Sequence, residues 1–257
     1  MDNDYIIGID LGTTFSCASV LRNGRIVIIP NHETGERVTP SVVSFSEKDR
    51  LIGQAAKNQI TKNYINTIYD AKRLIGRKFD EEIVQKDIKL WPFKVEKDNN
   101  SNRPLIVIKL KDKVEKYPAE RISSMILGKI KNIAEEYLDK EIKKAIITVP
   151  AYFNESQREA TRDAGKIAGL EVLKIINEPT AAALAYGFEN NHKGKKNLFV
   201  FDLGGGTFDV SIVRLENSKY DVLSINGDTH LDGLLKIIKV RFVLKFIKVK
   251  DYRWNYD

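Results

Sequence analysis

Cysteine and histidine are both rare in this sequence of 257 residues, which contains a single cysteine, Cys17, and three histidines. One cysteine cannot form an intrachain disulfide, so a disulfide-stabilised scaffold is excluded. A reducing compartment is expected, the cytoplasm first and the nucleus second. The histidines, at positions 32, 192 and 230, lack the spacing of metal ligands. We expect Cys17, which lies in an alternating stretch, to be a structural thiol rather than a reactive one.

Long apolar runs are absent as well. No stretch approaches the length that spans a membrane, and the acidic start Met1-Asp2-Asn3-Asp4 leads straight into an expected strand. We therefore expect neither a transmembrane segment nor a signal peptide. The patterns Gly-x-x-x-x-Gly-Lys-Ser/Thr and Gly-x-Gly-x-x-Gly are also missing, which argues against a P-loop and against a dinucleotide-binding fold.

The net charge of +7 is concentrated at one end of the chain. Residues 234–257 contain five Lys, two Arg and two Asp, a net charge of +5, which leaves +2 for residues 1–233. The main body therefore shows no basic patch in its composition, and we expect no nucleic-acid partner.

The sequence contains one short pattern that occurs twice. The stretch Asp10-Leu11-Gly12-Thr13-Thr14-Phe15 returns as Asp202-Leu203-Gly204-Gly205-Gly206-Thr207-Phe208-Asp209. Each copy follows a short apolar run and leads into an alternating one, which predicts strand, glycine turn and strand in both places. A turn without Cβ atoms lets consecutive N–H groups point into one concavity, and such a concavity suits a phosphate group.

The aspartate at the end of each incoming strand is not expected to contact phosphate directly, because two anions repel. A Mg²⁺ ion held through its water molecules would reconcile them. Hydroxyl groups at Thr13, Thr14 and Thr207 would add neutral donors beside the same phosphate oxygens. Two turns of this kind facing each other would hold a polyphosphate from both sides, whereas one alone would indicate an ordinary tight turn.

The remaining patterns predict a mixed α/β fold. In chain order we expect a strand pair at the Asn23-Gly24 turn, a helix around residues 53–63, a polar hairpin over 94–117, an amphipathic helix from Pro118, a buried strand over 144–149, a helix with a capping box at Asn154 and Gln157 that ends at Gly169, a strand over 172–176 and a small-residue helix over 181–186.

Five motifs together resemble the nucleotide-binding domain of the seventy-kilodalton heat-shock chaperones. They are Gly8 to Thr14, Asp70 to Arg77, Thr148 to Asn154, Asn177 to Ala183 and Asp202 to Asp209. They follow the family's order across residues 5 to about 233. The resemblance implies a two-lobed, actin-like and ribonuclease H-like ATPase fold. In this sequence it predicts a complete first lobe over 1–188, a truncated second lobe over 189–233 and a divergent basic tail over 234–257.

The resemblance implies a role for each matched residue, with ATP or ADP as the nucleotide. Asp10 and Asp202 would hold a hydrated Mg²⁺ ion, and Lys72 would orient the attacking water. Glu178 would lie near the metal without binding it directly, and Asp209 would be a base or a K⁺ ligand. The phosphate contacts would come from Gly12, Thr13, Thr14, Gly204, Gly205, Gly206 and Thr207. Phosphoryl transfer to water needs positioning and charge neutralisation more than a protein nucleophile, which agrees with this set.

The resemblance further implies J-domain co-chaperones and nucleotide-exchange factors as partners. Pro150 and Arg158 resemble the pair that relays the nucleotide state between domains. Lys174 stands where the family has an arginine used by J-domain proteins, and lysine lacks the planar fork of arginine. Asp232 replaces a glycine near the expected phosphates. The parts that bind adenine, the linker and the peptide-binding domain do not follow, so partner contacts are expected to be weakened or missing.

We interpret the chain as the ATP-binding and ATP-hydrolysing domain of a chaperone that handles unfolded proteins. Two alternatives stay open: a truncated, catalytically silent interaction module, and an actin-like small-molecule kinase, which the motifs at 70–73 and 177–180 disfavour. The segment 234–257 would be a basic amphipathic segment for a membrane or a partner, or a gene-model artefact, and we favour the second interpretation.

Overall fold

The computed structural model describes residues 5–190, 194–204, 207–216 and 219–228. The described residues divide into two compact units, the first within residues 5–149 and 153–175 and the second within residues 150–152 and 176–228. The fold is mixed α/β. The predicted lobe boundaries at residues 188 and 233 stay predictions, and the tail at 234–257, Asp232 and two of the three histidines lie outside the described residues.

The described residues form fifteen strands and five α-helices, numbered here in chain order. The strands are β1 (Ile6–Leu11), β2 (Phe15–Arg22), β3 (Arg25–Ile28), β4 (Thr39–Pro40), β5 (Val43–Phe45), β6 (Arg50–Ile52), β7 (Thr67–Ile68), β8 (Lys94–Lys97), β9 (Pro104–Lys109), β10 (Val114–Pro118), β11 (Lys144–Val149), β12 (Glu171–Asn177), β13 (Lys196–Leu203), β14 (Phe208–Glu216) and β15 (Lys219–Asp228). The α-helices are α1 (Gln54–Lys57), α2 (Glu82–Asp87), α3 (Ala119–Leu138), α4 (Glu155–Ile167) and α5 (Glu178–Asn190).

The main sheet of the first unit has the strand order β12-β11-β1-β2-β3, with β4 paired to β2. Strand β1 runs parallel to β11 and antiparallel to β2. Its apolar side chains at Ile7, Ile9 and Leu11 are buried on one face, so Asp10 is directed to the other. The Asn23-Gly24 turn between β2 and β3 has positive φ at both residues, as predicted for a tight hairpin of right-handed twist.

Helices α3 and α4 pack in the same unit, and both begin close to the predicted residues, while α4 also ends close to its predicted end. Helix α3 buries Ile122, Ile126, Ile130 and Ile133, which recur at spacings of four and three. In α4 the Asn154 side chain accepts from the Gln157 N–H and the Gln157 side chain accepts from the Asn154 N–H, which is the predicted capping box. Gly169 follows the helix with a φ of 77°.

Two local expectations differ from the structure. The segment 94–117 is a three-stranded meander, β8-β9-β10, because the alternation continues through a second turn at residues 110–113. The expected helix at 53–63 is a single turn, α1, followed by further turns. The further turns lead to Asn63, whose side-chain amide donates to the carbonyl oxygen of Phe45 at 2.8 Å and so connects this segment to β5.

The second unit contains a three-stranded antiparallel sheet, β13-β14-β15, with α5 packed against it. Ala183 on α5 and Val200 and Val213 on the sheet form its buried apolar centre. Small residues at the start of α5 allow this close packing, and Glu178 and Pro179 form the first turn, where proline is tolerated.

Candidate functional site

The first glycine turn connects β1 to β2, and Ser41, which lies outside the turn, forms two hydrogen bonds to it. The Ser41 hydroxyl donates to the carbonyl oxygen of Gly12 at 2.8 Å, and the Ser41 N–H donates to the carbonyl oxygen of Thr14 at 2.9 Å. A Cβ atom at Gly12 would lie 2.1 Å from the carbonyl oxygen of Phe15, so the turn requires glycine there. Thr13 and Thr14 are partly buried at the tip of the turn.

Asp10 lies on β1 just before this turn, with an exposed side chain. The Thr148 hydroxyl, at the end of β11, donates to Oδ1 of Asp10 at 2.8 Å. On the other side Asp10 is the register partner of Cys17 on β2. Burial raises the pKa of the Cys17 thiol to about 11, and the negative charge of Asp10 contributes to the increase. Cys17 is therefore protonated at neutral pH, as expected for a structural thiol.

Lys72 belongs to a short 3₁₀ helix, Ala71–Arg73, that begins after Asp70 in the left-handed conformation. Its Nζ donates to the carbonyl oxygen of Leu11 at 2.6 Å and lies 5.9 Å from the centre of the Phe153 ring. The fold thus brings Lys72 to the residue that follows Asp10, although 61 residues separate Lys72 from Leu11 in sequence. A lysine and an aspartate at one strand end provide both charges that a metal–phosphate complex requires.

The second glycine turn connects β13 to β14 in the other unit. Asp202 and Asp209 are register partners on either side of it, and the N–H of Gly204 donates to the carbonyl oxygen of Thr207 at 2.8 Å. Gly205 and Gly206 lie outside the described residues. Asp209 also pairs with Gly227 on β15, where a Cβ atom would lie 2.9 Å from Oδ1 of Asp209. Glycine at 227 therefore leaves room for this carboxylate.

A pocket in the second unit collects several of the predicted residues. Its empty volume is about 400 Å³, part of it open to solvent. Three carboxylates line it, from Glu178, Asp202 and Asp209. The rest of the lining is mostly apolar: Pro150, Ala151, Tyr152, Pro179, Ala182, Val200, Ser211 and Ile225. A pocket with convergent polar groups on an apolar wall is the usual form of a ligand site.

The predicted relay residues occupy different surroundings. Pro150 is buried and lines the pocket of the second unit. Arg158 lies on α4 of the first unit, where its Nε donates to the carbonyl oxygen of Phe153 at 3.0 Å. This bond connects the Arg158 side chain to the segment that follows β11. Arg158 is therefore not simply a solvated charge on the helix surface.

The two glycine turns have the same register. In the first hairpin Asp10 pairs with residue 17 and Leu11 with residue 16, while in the second Asp202 pairs with residue 209 and Leu203 with residue 208. In each case the aspartate pairs with the residue seven positions later. The Asp-Leu-Gly part of the sequence repeat is therefore also a structural repeat, whereas the threonines and phenylalanines of the two copies occupy different register positions.

A family model described as "Hsp70 protein" matches residues 6–240 of the sequence. The chain belongs to the Hsp70 family. The Hsp70 match extends seven residues beyond residue 233, where the resemblance is predicted to end.

Curated Hsp70 relatives are similar over most of this chain. The chain is 54% identical over 229 residues to "Heat shock cognate 70 kDa protein 3" of Dictyostelium discoideum. The aligned region covers 88% of this chain and 36% of that protein. It is 54% identical over 227 residues to "Heat shock 70 kDa protein" of Emericella nidulans, with 88% of this chain and 35% of the relative covered. The chain thus spans about a third of the length of these Hsp70 proteins.

Sequence reasoning missed two features of the site in this Hsp70 chain. Thr148 belongs to one of the five motifs, but nothing in the neighbouring sequence indicates that its hydroxyl bonds a residue 138 positions away. Tyr152 and Ser211 also line the pocket, and Ser211 could have been found from the alternation of β14. Among the described residues no group of three or more His, Cys, Asp or Glu side chains is placed to hold a metal ion. Nor does the described part of the chain contain a helix that is long and apolar enough to cross a bilayer.

Proposed function

We propose that this Hsp70-family chain binds a Mg²⁺ complex of ATP or ADP through its two glycine turns and hydrolyses ATP. The observation that carries the proposal is the repeat of the two hairpins, which places an aspartate and a glycine at equivalent positions, Asp10 and Gly12 in one unit and Asp202 and Gly204 in the other. Each turn also contains threonine, although not at matching positions. A single such hairpin is common, but two in the same register in one chain indicate a shared chemistry.

In the first unit, Gly12, Thr13 and Thr14 supply donors to phosphate oxygens. Lys72, already held beside the end of β1 through its bond to Leu11, places a positive charge there. We assign it to phosphate and to orientation of the attacking water. Such a reaction depends on positioning and on charge neutralisation, and an ammonium group that is held in place contributes to both.

In the second unit we assign the matching phosphate contacts to Gly204, Gly205, Gly206 and Thr207, of which Gly205 and Gly206 lie outside the described residues. Glu178 and Asp209 line the pocket next to it and provide carboxylates that can accept a proton from water or orient it. Thr207 is partly buried and its carbonyl oxygen closes the turn through Gly204, so its position is defined by the backbone.

The residues present suit a hydrated Mg²⁺ ion. Asp10 and Asp202 both have exposed side chains at strand ends, so water molecules can reach their oxygens. Mg²⁺ prefers oxygen ligands, retains several waters and is usually bound by one or two carboxylates together with phosphate. Asp202 and Asp209 also stand directly opposite each other, and a cation reduces the repulsion of such a pair. When bound, Mg²⁺ neutralises phosphate charge, and we propose K⁺ as a second cation at Asp209.

The proposed cellular role rests on membership of the family. The relatives are named heat shock proteins, and we propose that the longer protein of this type uses ATP hydrolysis to handle unfolded proteins in the cytoplasm or nucleus. J-domain co-chaperones and nucleotide-exchange factors are its proposed partners. Lys174 is exposed on β12. In a contact with a J-domain protein it would offer a single ammonium group instead of the planar guanidinium group of an arginine.

The deciding experiment is calorimetric titration of residues 1–257 with Mg-ADP and Mg-ATP, followed by measurement of phosphate release. The site variant is Asp10→Asn, and the control is Asp49→Asn, an exposed aspartate that removes the same charge away from the site. We expect binding that Asp10→Asn weakens at least tenfold and Asp49→Asn leaves unchanged. Binding without phosphate release would favour a silent interaction module, and the absence of any binding would refute the proposal.

A further inference from the structure

We propose that Thr148 is a positioning residue whose hydroxyl orients the Asp10 carboxylate toward the cation that accompanies the nucleotide. The inference rests on the proposed function, because it concerns the same site. It adds a residue from β11 to a group otherwise drawn from β1, the glycine turn and Lys72.

The strand arrangement places the two side chains together. Strands β1 and β11 are parallel neighbours, and their register brings Ile9 opposite Ile147. The next residue on each strand is therefore Asp10 and Thr148, and both point to the face opposite the buried Ile9 and Ile147. Oγ1 of Thr148 lies 2.8 Å from Oδ1 of Asp10, well inside hydrogen-bond distance.

The chemistry of this contact explains why a hydroxyl suits the place. Asp10 is exposed, so its carboxylate would otherwise sample several rotamers in water. A hydroxyl donates one hydrogen bond to one carboxylate oxygen and brings no charge that would compete with a cation. The second oxygen and the remaining lone pairs of Oδ1 stay available to the waters around Mg²⁺. A lysine in the place of Thr148 would instead neutralise the carboxylate.

The opposite neighbour cannot perform this task. Cys17 is the register partner of Asp10 on β2, but its thiol is only a weak donor. Of the two residues that flank Asp10 on neighbouring strands, only Thr148 therefore offers a strong neutral donor. Its β-branched shape also suits a strand, which makes valine an isosteric replacement that removes the hydroxyl alone.

The test compares Thr148→Val with Thr148→Ser in residues 1–257. ADP affinity is measured by calorimetry with Mg²⁺ and with EDTA, and the ratio of the two affinities reports how strongly the cation contributes. We expect Thr148→Val to lower this ratio roughly three- to tenfold, the effect of one lost hydrogen bond. ADP affinity in EDTA should stay unchanged, and Thr148→Ser should keep most of the ratio.

A structural role alone would change the thermal midpoint or the affinity in EDTA but leave the ratio intact, so that pattern would overturn the inference. An unchanged ratio in Thr148→Val, while Asp10→Asn loses the Mg²⁺ effect, would also refute it and leave the proposed function standing. If the unsubstituted chain bound no Mg-ADP, the proposed function would fail, and this inference with it.

Discussion

Gly76 lies so close to the backbone of Gln157 that a Cβ atom on it would stand 2.4 Å from the Cα atom of Gln157. The φ of Gly76 is +66°, in the region that disfavours residues with a side chain. Gln157 is buried in the first turn of α4. The contact therefore joins the segment that carries Lys72 to the helix that carries Arg158.

Gly76→Ala is expected to lower the free energy of unfolding by about 2–4 kcal/mol, because the methyl group meets backbone and the φ is strained. The matched control is Gly128→Ala on α3, where a Cβ atom meets nothing within 4 Å. There the loss of glycine flexibility should raise stability by about 0.5–1 kcal/mol. Urea denaturation of both variants measures the difference, and equal stabilities would contradict the contact.

Asn66 is predicted to be essential for joining two distant segments. Its side chain donates to the carbonyl oxygen of Lys109 at 2.8 Å and accepts from the Lys109 N–H at 2.9 Å, and the residue is buried. Asn66→Asp removes the donor and brings a carboxylate against a carbonyl oxygen, which should cost roughly 2–4 kcal/mol at neutral pH. The cost should shrink in acid, because a protonated carboxyl group can donate again.

The control for this substitution is Asn58→Asp. Asn58 is exposed and accepts a hydrogen bond from Gln54, which a carboxylate oxygen can still accept. We expect a change within about 0.5 kcal/mol. If both aspartate variants were equally stable, the bridge from Asn66 to Lys109 would not contribute to the native state.

The Cys17 thiol should make stability fall at alkaline pH. Its pKa is raised from 9.0 to about 11 by burial and by Asp10, so the native state keeps a proton that the unfolded state loses. The contribution is complete below pH 9.0 and is lost toward pH 11 at about 1.4 kcal/mol per pH unit. In urea denaturation, the free energy of unfolding of Cys17→Ala should fall less steeply between pH 9.0 and pH 11. This difference distinguishes the effect of the thiol from that of the tyrosines, which titrate in the same range.

Asp10→Asn tests the second cause of the same shift. Removing the charge should lower the pKa of Cys17 while leaving it above 9.0, because burial is the larger cause. The rate of alkylation by iodoacetamide as a function of pH measures it, and with one cysteine in the chain the signal has a single source. An unchanged profile would show that Asp10 does not act on the thiol.

Hydrogen exchange should differ between the two sheets. Strand β1 pairs on both sides, with β11 and β2, over a large buried core, whereas β15 pairs with β14 among the described strands and Leu223 and Ile225 on it are exposed. We expect hydrogen-bonded amides of β15 to exchange through openings of lower free energy than those of β1, with β14 intermediate. Equal protection in all three strands would contradict this expectation.

Local elements were predictable wherever neighbouring residues decide them. The Asn23-Gly24 turn follows from two residues that tolerate positive φ, and the capping box of α4 follows from Asn154 and Gln157 three positions apart. The prediction was less accurate where the chain contacts a distant segment. The expected helix at 53–63 is a single turn, and the side chain of Asn63, at its expected end, donates to Phe45 on β5.

The sequence by itself determined the duplicated turns, because an aspartate, glycines and hydroxyl residues in one order are local chemistry that recurs 192 positions later. Only the tertiary structure decided which side chains surround them. Thr148 reaches Asp10, and Lys72 reaches Leu11, across 138 and 61 residues. Such contacts depend on strand register and on packing, and no pattern of neighbouring residues encodes them.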